Sequence, residues 1–255
     1  IDGGFRLGWV EARVGESDVK GTLDILIGET ADTITGKLSG PRLDIATGQG
    51  DGDIDAAIIE EGDLDGVVLE IDIEIDLLTF DPISLEHVET TIALADGVFR
   101  LDSASAKAMG TPATVTLSID AAQTPPHFAF SLAADGVDPQ AIGKDLGLQG
   151  LMTGRIDHIG VDITSNGVSL RELATAADAN LSVDEGTLQI GSGAVALDFQ
   201  HLELVAKPGQ PATGNEALVL GGVEIDLALS FVPLVDLIAK PPPWNLDGRG
   251  SLLGL

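Results

Sequence analysis

The strongest constraint on the fold comes from VVLEIDIEIDLL at residues 67–78. From Leu69 to Leu77 every odd-numbered residue is Leu or Ile, and every even-numbered residue is Asp or Glu. Side chains along a strand point alternately to opposite faces, so this stretch predicts a β-strand with one aliphatic and one acidic face. The acidic face belongs in water, because burying a row of unpaired charges is very costly. The aliphatic face needs a cover, which could be a second sheet, a helix or an apolar ligand.

The same kind of segment recurs along the chain, usually as a Gly or Asp-Gly turn followed by alternating apolar residues. Short strands separated by turn residues are typical of an antiparallel, meandering architecture. The sequence therefore predicts a mainly β fold. The predicted strands include residues 21–28, 36–48, 95–104, 114–121, 127–136, 154–164, 185–193, 194–199 and 223–231.

Three short helices are predicted between these strands. Ser169 and Glu172 form the S-x-x-E pattern of a capping box at the start of one of them. None of the helices is large enough to cover all the strands. The sheet must therefore meet a second sheet of equal size or curl over on itself. The predicted helices cover residues 138–146, 169–177 and 232–240.

The apolar residues are almost all aliphatic. Hydrophobic residues make up 44% of the 255 residues, but aromatics only 4%, with no Tyr. The core of a closed β-sandwich usually includes large aromatic side chains, which fill volume and fix the packing. The composition therefore favours an aliphatic interior that can hold a fluid ligand, and a closed sandwich is the alternative.

The charge balance argues against nucleic acid as a partner. The chain has 41 acidic and 13 basic residues, a formal net charge of −28. Such a charge repels the phosphate backbone of nucleic acids and anionic lipid surfaces. We interpret the acidic residues as a solvated outer face that keeps long strands from pairing with other molecules. The absence of Cys excludes disulfides and thiolate metal sites.

A search for catalytic or metal-binding motifs gives only one partial match. Asp51, Asp53 and Asp55 have the spacing of the first EF-hand ligands, but Ala56 stands where Gly is needed and Gly62 where Glu is needed. We interpret this segment as an acidic turn. No nucleophile elbow, phosphate-binding loop or nicotinamide fingerprint is present. The sequence therefore predicts neither an enzyme nor a bound cofactor or metal. The histidines also lack the spacing of a zinc site: His87, His127, His158 and His201.

No segment reaches the ~18 apolar residues needed to cross a bilayer. The most apolar one, residues 227–239, is interrupted by Pro233 and Asp236. Because the sequence begins at Ile1 without a Met, we expect it to be a fragment whose anchor or export signal lies elsewhere.

Two consecutive segments carry a resemblance to a known family. They are LEHVETTIALADGVFRLDSASAKAMGTPATVTLSIDAAQTPPHFAFSLAADGVDPQAI (85–142) and LGLQGLMTGRIDHIGVDITSNGVSLRELATAADANLSVDEGTLQI (146–190). Together they resemble the signature block of the AsmA family of bacterial envelope proteins. Asn180 stands at a predicted turn where that family usually has Gly. The residues at the expected places are Gly154, Gly167, Ser169, Leu170, Leu173 and Gly186.

The resemblance implies a long, U-shaped, groove-forming antiparallel sheet with two or three short helices. It implies one domain over residues 1–255, strand-rich in 1–136 and strand- and helix-rich in 137–255 of the same sheet. The chain would be periplasmic and held at the inner membrane by a segment outside it. Its partners would be phospholipid and other envelope proteins. Family members are associated with outer-membrane biogenesis and phospholipid movement between the two membranes, and the family offers no catalytic residues.

On this interpretation the aliphatic faces line a groove for acyl chains. Two other hypotheses stay open: a scaffold or chaperone-like factor that pairs outer-membrane strands at exposed sheet edges, and a closed structural sandwich. The predicted lining residues are Leu69, Ile71, Ile73, Ile75, Leu77, Val115, Leu117, Ile119, Phe128, Phe130, Leu132, Val161, Ile163, Val195, Leu197, Ile225, Leu227 and Leu229.

Overall fold

The computed structural model shows a mainly β protein. Within the residues that the structure describes, fourteen strands hydrogen-bond in chain order, β1 to β14, in one large and mostly antiparallel sheet, with two short helices given in full. The predicted fold class is confirmed at this level. The strands belong to one sheet and not to the two separate sheets of a sandwich. The structure describes residues 3–14, 17–29, 31–44, 54–59, 62, 64–80, 83–108, 111–140, 152–190, 196–220, 223–239 and 246–252.

The chain divides into two compact units. The first comprises residues 1–108, 112–130 and 166–170. Its strands are long because the alternating apolar segments continue for ten residues or more between turns. They are β1 (Gly3–Val14), β2 (Ser17–Ile27), β3 (Asp32–Asp44), β4 (Val67–Phe80), β5 (Ile83–Ala95), β6 (Val98–Ala108), β7 (Thr111–Asp120) and the first residues of β8 (His127–Val137).

The second unit comprises residues 109–111, 131–165 and 171–255. It contains the end of β8 and nearly all of the elements that follow. These are β9 (Met152–Asn166), α1 (Leu170–Ala176), β10 (Asp178–Ile190), β11 (Ala196–Ala206), β12 (Pro211–Leu220), β13 (Val223–Pro233), α2 (Leu234–Ala239) and β14 (Leu246–Leu252).

The hairpin between β5 and β6 contains one of the Asp-Gly turns predicted from the sequence. Ala95 pairs with Val98, and the two residues between them, Asp96 and Gly97, have φ values of 52° and 73°. Positive φ at both central residues is the requirement of a two-residue type I′ turn, which matches the twist of the flanking strands.

One pair of strands departs from the antiparallel meander. Strands β3 and β4 are parallel, with Asp32 beside Val67 and Gly40 beside Ile75. A parallel pair cannot be joined by a tight hairpin, so the chain needs a long connection between them, and here it runs through residues 45–66. In the described part of that connection, the Ile58 amide donates to the Val168 carbonyl at 2.7 Å. The sheet is thus mainly antiparallel, as predicted, and this junction is a parallel exception that the sequence did not indicate.

Two of the three predicted helices are confirmed as α1 and α2, each slightly shorter than predicted. The third starts as predicted, because Pro139 and Gln140 are helical and the Gln140 amide donates to Asp138 Oδ1 at 2.8 Å. Residues 141–146 lie outside the described residues.

The boundaries around β10 differ from the prediction. The strand starts at Asp178 instead of residue 185, because the chain leaves α1 directly into the sheet. Asn180 consequently lies inside β10 and not at a turn, which corrects the position expected for it.

Candidate functional site

In the first unit, the register aligns the aliphatic residues of neighbouring strands in rows. Directly opposite residues of paired strands have their side chains on the same face. One row runs across five strands and another lies beside it. The first row is Ile25, Ile34, Leu69, Leu94 and Phe99, and the second is Leu23, Gly36, Ile71, Ile92 and Leu101.

The two faces of β4 have the exposure expected from the sequence. Ile71 and Ile75 are 8% and 2% exposed, and Leu69, Ile73 and Leu77 are half-buried. The acidic residues between them are exposed. The predicted division into an aliphatic face turned from water and an acidic face in water is confirmed for this strand.

The other predicted lining residues whose side chains are described are buried or half-buried. Val115 is buried, with 7% exposure. Val195 lies outside the described residues, and Leu197 is described only as part of the backbone of β11. The rest are half-buried: Leu117, Ile119, Phe128, Phe130, Leu132, Val161, Ile163, Ile225, Leu227 and Leu229.

The second unit has its own aliphatic rows across β9 to β13. One is formed by Val161, Leu181, Leu204, Gly214 and Leu229. The next is formed by Ile159, Val183, Leu202, Glu216 and Leu227. At ~4.8 Å between strands, each row extends roughly 20 Å.

A bulge keeps these rows continuous where the sequence pattern changes phase. In β11 the apolar residues Phe199 and Leu202 are three positions apart, which in a regular strand would place them on opposite faces. The register with β12 shifts between these two residues, so that Phe199 pairs with Leu218 and Leu202 with Glu216. The extra residue of the bulge thus returns the apolar side chains of β11 to one face.

A carboxyl group interrupts the second of these rows. Glu216 is 4% exposed, and neither of its carboxyl oxygens has a hydrogen-bond partner among the described residues. Burial raises the pKa of Glu216 to about 7, because the charged form is poorly solvated among aliphatic neighbours. Sequence reasoning missed this residue, although the alternation of Ala212, Gly214, Glu216, Leu218 and Leu220 puts it at an apolar position.

Histidines and carboxylates form pairs on the exposed side of β8 to β11. His201 Nδ1 is hydrogen-bonded to Asp184 Oδ1 on β10, and this bond raises the pKa of His201. His158 Nδ1 lies 2.7 Å from Asp135 Oδ1. Sequence reasoning missed both pairs because their members lie 17 and 23 residues apart in the chain.

The acidic face of the first unit contains an open depression of about 400 Å³. Lys37 Nζ lies 3.3 Å from Glu74 Oε2 there, and Thr91 donates a hydrogen bond to Asp72. Most of its lining is polar, and it shares only Ile73 with the predicted acyl lining. The lining residues are Lys37, Asp72, Ile73, Glu74, Glu89, Thr90, Thr91 and Asp102.

The predicted acidic turn falls mostly outside the described residues. Asp51 and Asp53 are not described, and Asp55 is exposed. Within the described ranges, no group of three or more His, Asp and Glu side chains is arranged to hold a metal ion.

Comparisons of the chain with protein-family models, with curated proteins and with solved structures gave no match in any of the three. Among the residues that the structure describes, no helix combines the length and apolar content needed to cross a bilayer.

Proposed function

We propose that the aliphatic face of the sheet binds the acyl chains of phospholipid, and that the protein is a non-catalytic lipid-handling module of the bacterial envelope. The observation that carries this proposal is the set of aligned aliphatic rows whose side chains are mostly half-buried. In both units the described rows combine Leu, Ile and Val with few polar groups.

The energetics of such a surface suit a sliding ligand. Each methylene taken from water onto an aliphatic surface gains ~0.8 kcal/mol. A row that extends roughly 20 Å is longer than the ~15 Å of one leaflet's hydrocarbon. A uniform lining presents few specific contacts that would hold a chain at one position. The headgroup can stay in water throughout.

The resemblance to the AsmA family extends this proposal to a cellular role. It supports a periplasmic location, attachment to the inner membrane through a segment outside this sequence, and phospholipid transport between the two membranes. A large, mostly antiparallel sheet is one part of the architecture that the resemblance implies.

The test is native mass spectrometry of the 255-residue chain, followed by extraction and identification of bound lipid. We expect phospholipid to co-purify with the wild type and to be lost from Ile73→Asp, which puts a charge on the half-buried aliphatic face. Asp76→Asn, an exposed change on the opposite face of the same strand, should retain the lipid. A lipid-free wild type after incubation with phospholipid vesicles would contradict the proposal.

A second candidate function is strand pairing at the sheet edges. Strands β1 and β14 each have only one neighbour within the described sheet, so their outer sides could receive a strand of another protein. A proline in β14, such as Ser251→Pro, should abolish that activity and leave lipid binding intact. Ile73→Asp should have the opposite effect, so the two variants separate the hypotheses.

A further inference from the structure

Glu216 occupies a place where a carboxyl group has no partner within the described chain. It lies opposite Leu202 of β11 and Leu227 of β13, so its side chain shares their aliphatic face. Along β12 it is two residues from Gly214, which pairs with Leu204 and Leu229. Buried polar groups in native proteins nearly always have a hydrogen-bond partner, so one without a partner needs an explanation.

The polar side chains of β10 and β11 alternate with the apolar residues of this row, so they lie on the opposite face of the sheet from Glu216. His201 is hydrogen-bonded to Asp184 through Nδ1. Asn180 donates to Glu203 Oε1 at 3.1 Å. These bonds pair the polar residues of that face with one another, and Glu216 has no donor among the described residues.

The lysine that follows β11 is also paired. Lys207 Nζ donates to both carboxylate oxygens of Asp178 at 2.8 Å. Other polar residues on an aliphatic face are satisfied internally, as Thr90 of β5 shows by donating to the Asp102 carbonyl at 3.3 Å. Glu216 differs from Thr90 in that its carboxyl oxygens have no partner among the described residues.

We propose that Glu216 is a ligand-selecting residue on the aliphatic face, and that its carboxylate binds the primary ammonium group of an amphiphile whose hydrocarbon lies along the adjacent Leu row. This inference rests on the proposed acyl-binding function and adds the polar group that the ligand carries. Long-chain amines and the phosphoethanolamine headgroup both have this chemistry.

An ammonium group fits the site for two reasons. It carries three N–H donors and no acceptor, so it can satisfy both oxygens of a carboxylate in charge-assisted hydrogen bonds. Its positive charge is also attracted by a chain with a net charge of −28, which repels anionic headgroups. A neutral alcohol could satisfy one oxygen but would gain nothing from the charge.

The test measures binding of twelve-carbon probes to the full 255-residue chain by isothermal titration calorimetry below their micelle concentrations. The probes are dodecylamine, dodecanol and dodecyltrimethylammonium, which share a tail and differ in charge and donors. We expect dodecylamine to bind at least about tenfold more tightly than the other two. In Glu216→Gln this advantage should disappear, while dodecanol binding should be unchanged. Circular dichroism before and after thermal unfolding establishes that the variant is folded.

Two further measurements test whether the ionised carboxylate of Glu216 binds the ligand and which kind of ligand supplies the ammonium group. Among the described titratable groups, His201 is the one whose charge acts on Glu216, and it lowers the pKa of that carboxyl. Since the pKa of Glu216 is about 7, dodecylamine affinity should fall about tenfold from pH 8 to pH 6 in the wild type and stay level in Glu216→Gln. Lysophosphatidylethanolamine binding more tightly than lysophosphatidylcholine would identify the headgroup as the source, whereas a response to dodecylamine alone would identify free amines.

Equal affinity of the wild type for dodecylamine and dodecanol would overturn the assignment of Glu216 and leave acyl binding standing. Failure of all three probes to bind would instead count against the acyl-binding function itself. The two failures are thus distinguishable in one series of titrations.

Discussion

At the scale of single residues, Glu216 links the stability of the protein to pH. A carboxyl with a pKa of 4.5 in the unfolded chain and about 7 in the folded one holds its proton in the folded state over that interval. Its contribution to stability is then complete below pH 4.5 and is lost as the pH rises through 7.

We therefore expect Glu216 to reduce the free energy of unfolding by up to about 3 kcal/mol between pH 4.5 and pH 8. Urea unfolding of the wild type and Glu216→Gln at several pH values measures this as a difference that grows with pH. Glu70→Gln, an exposed change on β4, should follow the wild type. A difference that does not depend on pH would contradict the prediction.

Two neighbours on β4 test the distinction between buried and half-buried positions of the aliphatic face. Ile75 is 2% exposed and Ile73 is half-buried. Truncating a fully buried Ile leaves a cavity, so Ile75→Ala should cost about 3 kcal/mol, and Ile73→Ala about half of that. Denaturant midpoints of the two variants give the comparison. Equal losses would mean that Ile73 is packed as tightly as a core residue and is a poor contact for a ligand.

At the scale of elements, the hairpin between β5 and β6 depends on the left-handed conformation of Gly97. Its φ is 73°, and an added Cβ would lie 3.4 Å from the Cβ of Ala122 and 3.3 Å from Asp65 Oδ1. Gly97→Ala should therefore lower the free energy of unfolding by about 1 kcal/mol. Gly8 in β1 has no atom within 4 Å of an added Cβ, so Gly8→Ala is the matched control. Thermal unfolding of both variants should separate them by several degrees.

Much of this element structure could be predicted from the sequence, because alternation and turn residues act locally. The strand around Leu69–Leu77, the Asp96–Gly97 turn and the helix after Ser169 are all confirmed. The parallel pairing of β3 with β4 could not be predicted, since it depends on which strand edges meet after a long connection.

The candidate site, too, could be predicted from the sequence only where local patterns determine it. The aliphatic face follows from alternation, so its residues could be predicted, and their role as a lining for a ligand stays a prediction. The bulge between Phe199 and Leu202 depends on pairing with β12, and only that register shows that Leu202 faces the same side as Glu216. The unpartnered carboxyl depends on which side chains the neighbouring strands place beside Glu216, and no local pattern in the sequence shows this.

At the scale of the whole molecule, the net charge of −28 should decide which lipid surfaces the protein approaches. At low ionic strength the Debye length is ~30 Å at 0.01 M salt, so anionic headgroups are repelled before any acyl contact forms. We expect slower lipid extraction from phosphatidylglycerol vesicles than from phosphatidylcholine vesicles. In 0.5 M salt the two rates should converge. A fluorescent-lipid transfer assay measures both, and a difference that persists in high salt would point to headgroup recognition instead.

The parallel junction between β3 and β4 also bears on how the first unit folds. Neighbouring hairpins such as β5–β6 bring together residues that are close in the chain, and their loops close quickly. Asp32 and Val67, by contrast, are paired across the whole connection of residues 45–66. The loop must close before the stabilising contacts between β3 and β4 can form. The pairing of these two strands therefore has the higher entropic barrier. The folding rate of the first unit should therefore fall as that connection is lengthened, by a factor of about 3 for each doubling of the loop, which stopped-flow refolding would measure.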